Sequence, residues 1–186
     1  MSGPDKPEPG SHCSACGVAY APGMAWPRRC AVCKTVAYCN PLPVAVLVQP
    51  VRAGGNQGPR VGVLVIRRTV EPRAGWLALP GGFIECGETW QEACAREAYE
   101  EAGIYVEAAR IRVLHVASTP RNLAVFGEGA ILDSAELAPF APNAEASERQ
   151  ILFAAIELAF PLHSQLLAAT LRLYNPTAQE NPHAAA

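Results

Sequence analysis

The chain has 186 residues, half of them apolar, and a formal net charge of −2, enough for one domain of ordinary size plus a small appendage. The slight acidity gives no general attraction to nucleic acid or to acidic membrane surfaces, so neither is expected as a partner. No apolar run approaches the roughly 20 residues that span a bilayer, and the opening MSGPDKPEPGSH has no apolar signal-peptide core, so a cytoplasmic location is expected.

Residues 1–11 are rich in Pro, Gly and charge and read as a disordered tail. Cys13 and Cys16, then Cys30 and Cys33, form two CxxC knuckles thirteen residues apart, a spacing that predicts a structural Zn²⁺ site in a zinc ribbon over residues 12–40. The alternatives are two disulfides, which a reducing cytoplasm disfavours, or cysteines that no longer bind metal. The ribbon is expected to brace the following domain or to form a homodimer contact. Residues 44–48 and 61–67 are β-branched runs joined by AGGNQGPR, which predicts a hairpin. Residues 76–79 make a short strand ahead of a Pro80-Gly81-Gly82 turn. Strands follow over 105–117, 123–132 and 151–158, a closing helix over 163–174, and a frayed tail over 176–186.

Between these lies the most informative stretch. Gly82 is followed after five residues by Glu88, and after seven more by Arg96, Glu97, Ala98, Tyr99, Glu100, Glu101, Ala102, Gly103 and Ile104. Thr89 and Glu92 make a capping box that starts a helix, and Gly103 supplies the left-handed residue that ends it. At about 100° per residue, Glu97, Glu100 and Glu101 share one face of that helix. Trp90, Cys94, Ala98 and Ala102 form an apolar stripe beside them. Carboxylates this close repel unless a cation neutralises them, and oxygen donors without His or Cys favour Mg²⁺ or Mn²⁺. Arg96 flanks the acidic face and is placed to pair with Glu88. A merely solvated acidic face, the alternative, needs none of these fixed distances.

The pattern G-x5-E-x7-R-E-U-x-E-E-x-G-U, with U a bulky apolar residue, resembles the Nudix box of hydrolases that cleave nucleoside diphosphates linked to another group. Ala98 is its single departure, at a position where the family carries a larger aliphatic residue. The run from Ile66 to Gly82 that ends in LPGG is similar to the family's approach to its box. The order of ribbon, Tyr38-x-Asn40-Pro41 and box resembles the branch containing NADH pyrophosphatases and plant FAD pyrophosphatases. The chain departs from NADH pyrophosphatases after the box, where ASTPRNLAVFGEG replaces their SQPWPFPxS motif. The branch's late glutamate is also offset, with Arg149 at its spacing and Glu148 one residue away.

The resemblance implies an α/β/α sandwich with a mixed sheet over residues 41–175. It implies Mg²⁺ or Mn²⁺ held by Glu97, Glu100 and Glu101 with the Gly81 carbonyl, and a catalytic set completed by Arg96 and Glu88. The reaction implied is hydrolysis of a pyrophosphate bond in a nucleotide-containing small molecule such as FAD, NAD(H) or ADP-ribose, giving two monophosphates. Arg67, Arg68, Phe83 and Glu148 are candidate substrate contacts, and the general base is either one of the metal-binding glutamates Glu97, Glu100 and Glu101 or a loop-borne one, Glu128, Glu145 or Glu148. Hydrolysis of aberrant nucleoside triphosphates and non-catalytic nucleotide sensing or nucleic-acid binding are the alternative functions.

Overall fold

The computed structural model describes residues 8–54 and 58–176. The expected tails at 1–7 and 177–186, and the middle of the AGGNQGPR connection at 55–57, lie outside the described residues. The chain divides into two compact units, Met1–Pro41 and Leu42–Ala186.

The first unit is organised by its two knuckles, which have the same backbone. Cys13 N donates to Val18 O and Gly17 N to Cys13 O, each at 2.8 Å; Cys30 N donates to Thr35 O at 2.8 Å and Lys34 N to Cys30 O at 3.1 Å. Gly17 and Lys34, at φ 74° and 62°, take the left-handed conformation that closes each loop. Strand β1 (Arg28–Arg29) pairs antiparallel with β2 (Val36–Ala37). Residues 8–11, expected in the tail, are bonded into this unit through Glu8 O, Gly10 O and Ser11 O.

The second unit is an α/β/α sandwich. One sheet orders β10 (Leu132–Asp133), β4 (Pro50–Ala53), β5 (Arg60–Arg68) and β11 (Ala146–Leu152), with β6 (Leu77–Ala78) also on β5; the other orders β7 (Gly81–Phe83), β3 (Leu42–Val48), β9 (Asn122–Glu128) and β8 (Arg112–Ser118). Both sheets are mixed, because β3 runs parallel to β9 and β10 parallel to β4. Alternation along the strands feeds two cores. Ala45, Leu47, Leu64 and Ile66 pack with Ala93, Cys94, Ala98 and Ala102 of helix α1 (Trp90–Ala102). Val46, Val48, Val63 and Val65 pack with Leu167 and Leu171 of α2 (Pro161–Tyr174). Ala98 is fully buried, so its small side chain sits where α1 meets the sheets.

Four sequence expectations are corrected. The 44–48 and 61–67 runs do not form a hairpin; β5 pairs instead with the four-residue β4, and β3 goes to the other sheet. The chain changes sheets at buried Gln49, whose Nε2 donates to Pro50 O and Ala130 O at 2.8 and 2.7 Å. Gly81 and Gly82 belong to strand β7 and not to a turn, because only glycines let β7 lie this close to β3 and α1. A Cβ on Gly81 would come 2.7 Å from Val46 Cα, and one on Gly82 2.7 Å from Glu97 Cδ. Finally, the strand expected from 105 begins only at Arg112, after a 3₁₀ turn at Ala108–Arg110, and the strand expected over 151–158 is β11, displaced to Ala146–Leu152.

Candidate active site

Helix α1 has the termini its sequence dictates. Thr89 Oγ1 accepts from Glu92 N at 3.2 Å, Glu92 Oε2 accepts from Thr89 N at 2.7 Å, and Gly103 sits at φ 63° after the last turn. The helix therefore starts and stops at fixed points and delivers Glu97 and Glu101 to one place.

Those two carboxylates are buried, at 6% and 2% exposure. They line a cleft of about 560 Å³ together with Gly81, Gly82, Phe83 and Arg68. Glu101 Oε2 accepts from Gly81 N at 2.8 Å. Burial pushes Glu101 up to about 7, and it raises Glu97 as well despite the Arg96 guanidinium beside it. Oxygens of Glu97, Glu101 and Glu145 all lie within 4.8 Å of one another. The third member of the cluster is thus Glu145, from the loop before β11, and not Glu100.

Glu100, the remaining member of the expected trio, also borders the cleft, but on its exposed side and outside the converging oxygens. One residue along a helix is a turn of about 100°, so Glu101 reaches the buried floor while its neighbour Glu100 stands nearer solvent. Arg96 captures it, Nη1 donating to Glu100 Oε2 at 2.9 Å. Arg96 also donates to Glu97 Oε1 at 2.8 Å, to both oxygens of Glu88 at 2.8 and 3.1 Å, and to Phe83 O at 2.9 Å. All five guanidinium N–H bonds are thereby used. Arg96 and Glu88 tie loop to helix and orient Glu97, with no donor left over for a phosphate. Glu88, gripped by Arg96 and by Glu85 N, is held below the usual carboxylate range.

The two candidate arginines part company because they are neighbours on a strand and face opposite ways. Arg68 lines the cleft with its guanidinium carbon 5.5 Å from the Phe160 ring centroid. Arg67 instead meets Glu148, its cross-strand partner in register on β11, with Nε 2.6 Å from Oε2. Neither Arg67 nor Glu148 is among the residues lining the carboxylate cleft; Arg67 borders a separate pocket with Trp76 and Glu157. Phe83 stands exposed at the cleft rim. Glu128 is remote from the cluster, accepting from Tyr174 Oη at 3.1 Å.

The NUDIX domain family matches residues 41–153. The chain belongs to the NUDIX domain family. A NUDIX hydrolase from Nitrosomonas europaea is similar in structure, with a TM-score of 0.66 and 28% identity over 87% of this chain and 90% of that one. That coverage exceeds what the second unit alone supplies, so the alignment reaches into the cysteine-bearing unit. The NUDIX domain of Shewanella oneidensis NrtR, complexed with ADP-ribose, shares the fold at 23% identity and a TM-score of 0.53, over 72% of this chain and 89% of that one. An ADP-ribose pyrophosphatase from Methanocaldococcus jannaschii is 55% identical over 42 residues, 23% of this chain, so the match spans a quarter of that relative's length.

Nudix enzymes use divalent metals, and the donor set here fits one. Three carboxylates converge without a His or Cys among them, which suits Mg²⁺ or Mn²⁺. In the first unit, the sulfurs of Cys13, Cys16, Cys30 and Cys33 lie within 4.8 Å of one another. Cys13–Cys33 and Cys16–Cys30 are each 3.6 Å apart, too far for a disulfide at about 2.05 Å. A tetrahedron with Zn–S of about 2.3 Å has edges of about 3.8 Å. The thiols also divide their charge: hydrogen bonds with Thr35 pull Cys33 down to about 6, whereas Cys16, despite a backbone hydrogen bond from Val18, is pushed up to about 11 by Cys33 and Cys30. A central Zn²⁺, with which the four sulfurs are compatible, would remove that conflict. The buried Tyr20 hydroxyl has no nitrogen or oxygen partner among the described residues, and burial together with the adjacent Cys13 raises it, as for a phenol facing a thiolate.

Sequence reasoning missed Asn143. Its Nδ2 donates to Glu100 O at 2.8 Å, and its Oδ1 accepts from Glu145 N at 2.9 Å and Ala146 N at 2.8 Å. It fastens the Glu145 loop to the end of α1. The signal was the turn-forming Pro142-Asn143 pair.

Proposed function

We propose that the chain is a Mg²⁺- or Mn²⁺-dependent pyrophosphohydrolase. Its substrate would be a nucleoside diphosphate linked to a second moiety, ADP-ribose or a dinucleotide such as FAD or NAD(H). The observation that carries this reading is the convergence of Glu97, Glu101 and Glu145 at the floor of a cleft that also presents Arg68. The archaeal ADP-ribose pyrophosphatase supports the substrate class. The cysteine unit ahead of the Nudix domain, with structural Zn²⁺ on Cys13, Cys16, Cys30 and Cys33, supports placing it with the ribbon-bearing branch.

Glu97 and Glu101 would hold the ion, the first oriented by Arg96 and the second by Gly81 N, with the Gly81 backbone beside them. Held there, such an ion would supply Lewis-acid polarisation of a pyrophosphate oxygen and offset the charge of two phosphates. Arg68 pairs with a phosphate oxygen and so fixes the pyrophosphate over the carboxylates. Glu145 is exposed and held through its backbone, its N bonded to Asn143 and its O accepting from Thr69 N at 2.9 Å. Its carboxylate takes the proton of the attacking water as the new P–O bond forms and the bridging P–O bond breaks in line. Two monophosphates leave. Substrate enters past Phe83, which offers a ring face at the rim.

The test is chromatography of products after incubation with Mg²⁺ or Mn²⁺ and a panel of ADP-ribose, FAD, NADH, NAD⁺, diadenosine polyphosphates and nucleoside triphosphates. Metal-dependent release of AMP from a diphosphate-linked member is expected. Pyrophosphate released from triphosphates alone would move the substrate to the triphosphate class, and no cleavage of any member would overturn the enzymatic reading.

A further inference from the structure

The carboxylate cleft opens into a second, mostly apolar chamber of about 410 Å³, whose walls are aliphatic (Val44, Val46, Ala124) and aromatic (Phe126, Phe160), with Thr119, Asn122 and His163 as its polar members. Val44, Val46, Phe160 and His163 line both spaces, so a molecule with its pyrophosphate over the glutamates has its next group at the mouth of the chamber. We propose that His163 is a specificity-determining residue, whose Nε2–H donates to an acceptor atom on the planar base of the substrate's nucleotide half inside this chamber. The inference rests on the pyrophosphohydrolase reading and deepens it.

The ring's protonation follows from one hydrogen bond. Leu79 N donates to His163 Nδ1 at 3.1 Å, so Nδ1 is an acceptor and the proton of the neutral ring sits on Nε2. His163 is 8% exposed, and burial, aided by the Arg68 charge, pushes it down to about 4, which keeps it neutral at physiological pH. Phe126 meets the ring edge-on at 5.7 Å and Phe160 at 5.0 Å. The donor is therefore fixed in tautomer and in direction. It is also registered to the metal-binding carboxylates, because Leu79 lies two residues before Gly81, whose N–H holds Glu101.

A neutral donor beside apolar walls favours an occupant that is flat and apolar on its faces but carries an acceptor on its edge. A nucleobase meets all three requirements. A sugar fits less well, because Thr119, Asn122 and His163 can pair only some of its hydroxyls and the rest would face Val44, Val46 and Ala124. A site that hydrogen-bonds its ligand rejects analogues lacking the group, since the donor is then left unpaired.

The experiment compares equilibrium binding of AMP, GMP and UMP with that of ribose 5-phosphate, in Mg²⁺, by wild type and His163→Asn. Asparagine Oδ1 can still accept from Leu79 N but has no counterpart of Nε2–H. The best-bound nucleotide is expected to bind wild type more tightly than ribose 5-phosphate, and H163N to weaken that nucleotide about tenfold while leaving ribose 5-phosphate unchanged. In turnover, KM should rise by a similar factor with kcat within about twofold. In wild type labelled with ¹⁵N-histidine, the Nε2 resonance should move with the nucleotide and not with ribose 5-phosphate, a readout that needs no variant to fold. Equal weakening of both ligands, no weakening of either, or no preference of wild type for a nucleotide would each overturn the assignment. Because binding is read without turnover, absent hydrolysis with these binding results would sink the enzymatic reading and leave the His163 contact standing.

Discussion

Burial keeps Glu101 protonated up to about pH 7, well above its ordinary 4.5, and that links the cleft to stability. A carboxyl whose folded value is raised stabilises the fold fully below its unfolded value, and the contribution is lost as pH rises through the folded one. Without divalent metal, the wild type should therefore lose stability between about pH 4.5 and 7. Glu101→Gln should lose less, because its amide oxygen can still accept from Gly81 N and carries no charge to bury, leaving Glu97 as the raised carboxyl beside it. In Mg²⁺- and Mn²⁺-free buffer the variant is expected to match wild type near pH 4.5 and exceed it by up to roughly 3 kcal/mol at pH 8, read from urea denaturation. Equal stability at pH 8 would show that burial does not disfavour the charge. At this scale Glu97 and Glu101 were legible from helix spacing. Glu145 was only one of several loop glutamates, because Asn143, the residue that brings it in, acts across more than forty residues of chain.

Arg96 governs the helix as an element. Its five donors join Glu88 and Phe83 O of the preceding loop to Glu97 and Glu100, a planar network that a lysine ammonium cannot reproduce. Arg96→Lys should cost about 2 kcal/mol in urea denaturation and weaken Mn²⁺ binding at least tenfold by titration calorimetry; unchanged Mn²⁺ affinity would mean that Glu97 needs no orientation. Gly82→Ala should remove Mn²⁺ binding through the same carboxylate, since its Cβ would strike Glu97. Wild-type affinity in G82A would contradict the close approach of β7 to α1. Both ends of α1 were readable because capping is local. The pairing of β3 with β9, some eighty residues away, was not, and the four-residue β4 is too short for its period to register. Arg68 and Arg67 were indistinguishable in sequence until the strand's facing was known.

At the scale of the whole molecule, two compact units have two chemistries: soft sulfur donors in Met1–Pro41 and hard oxygen donors in Leu42–Ala186. Native mass spectrometry should find one Zn²⁺ per chain, lost in Cys30→Ser. In that variant hydrogen exchange should become fast over residues 13–37 and stay slow over α1, whose core lies wholly within the second unit. Unchanged protection of the cysteine unit would mean that the metal does not hold it. No described helix is long and apolar enough to cross a membrane. The division into cysteine unit and sandwich was visible in the spacing of motifs; which substrate the cleft takes was not, because Arg68, Phe160 and His163 meet only in three dimensions. The most direct test is the single-turnover rate of AMP release from ADP-ribose in Mg²⁺ by wild type, Glu145→Gln and Glu101→Gln. Metal-dependent release by wild type, slowed at least a hundredfold in both variants, with Mn²⁺ affinity kept in E145Q and lost in E101Q, is the expected result. Wild-type rates in either variant would contradict the assignment of the reaction to this carboxylate cluster.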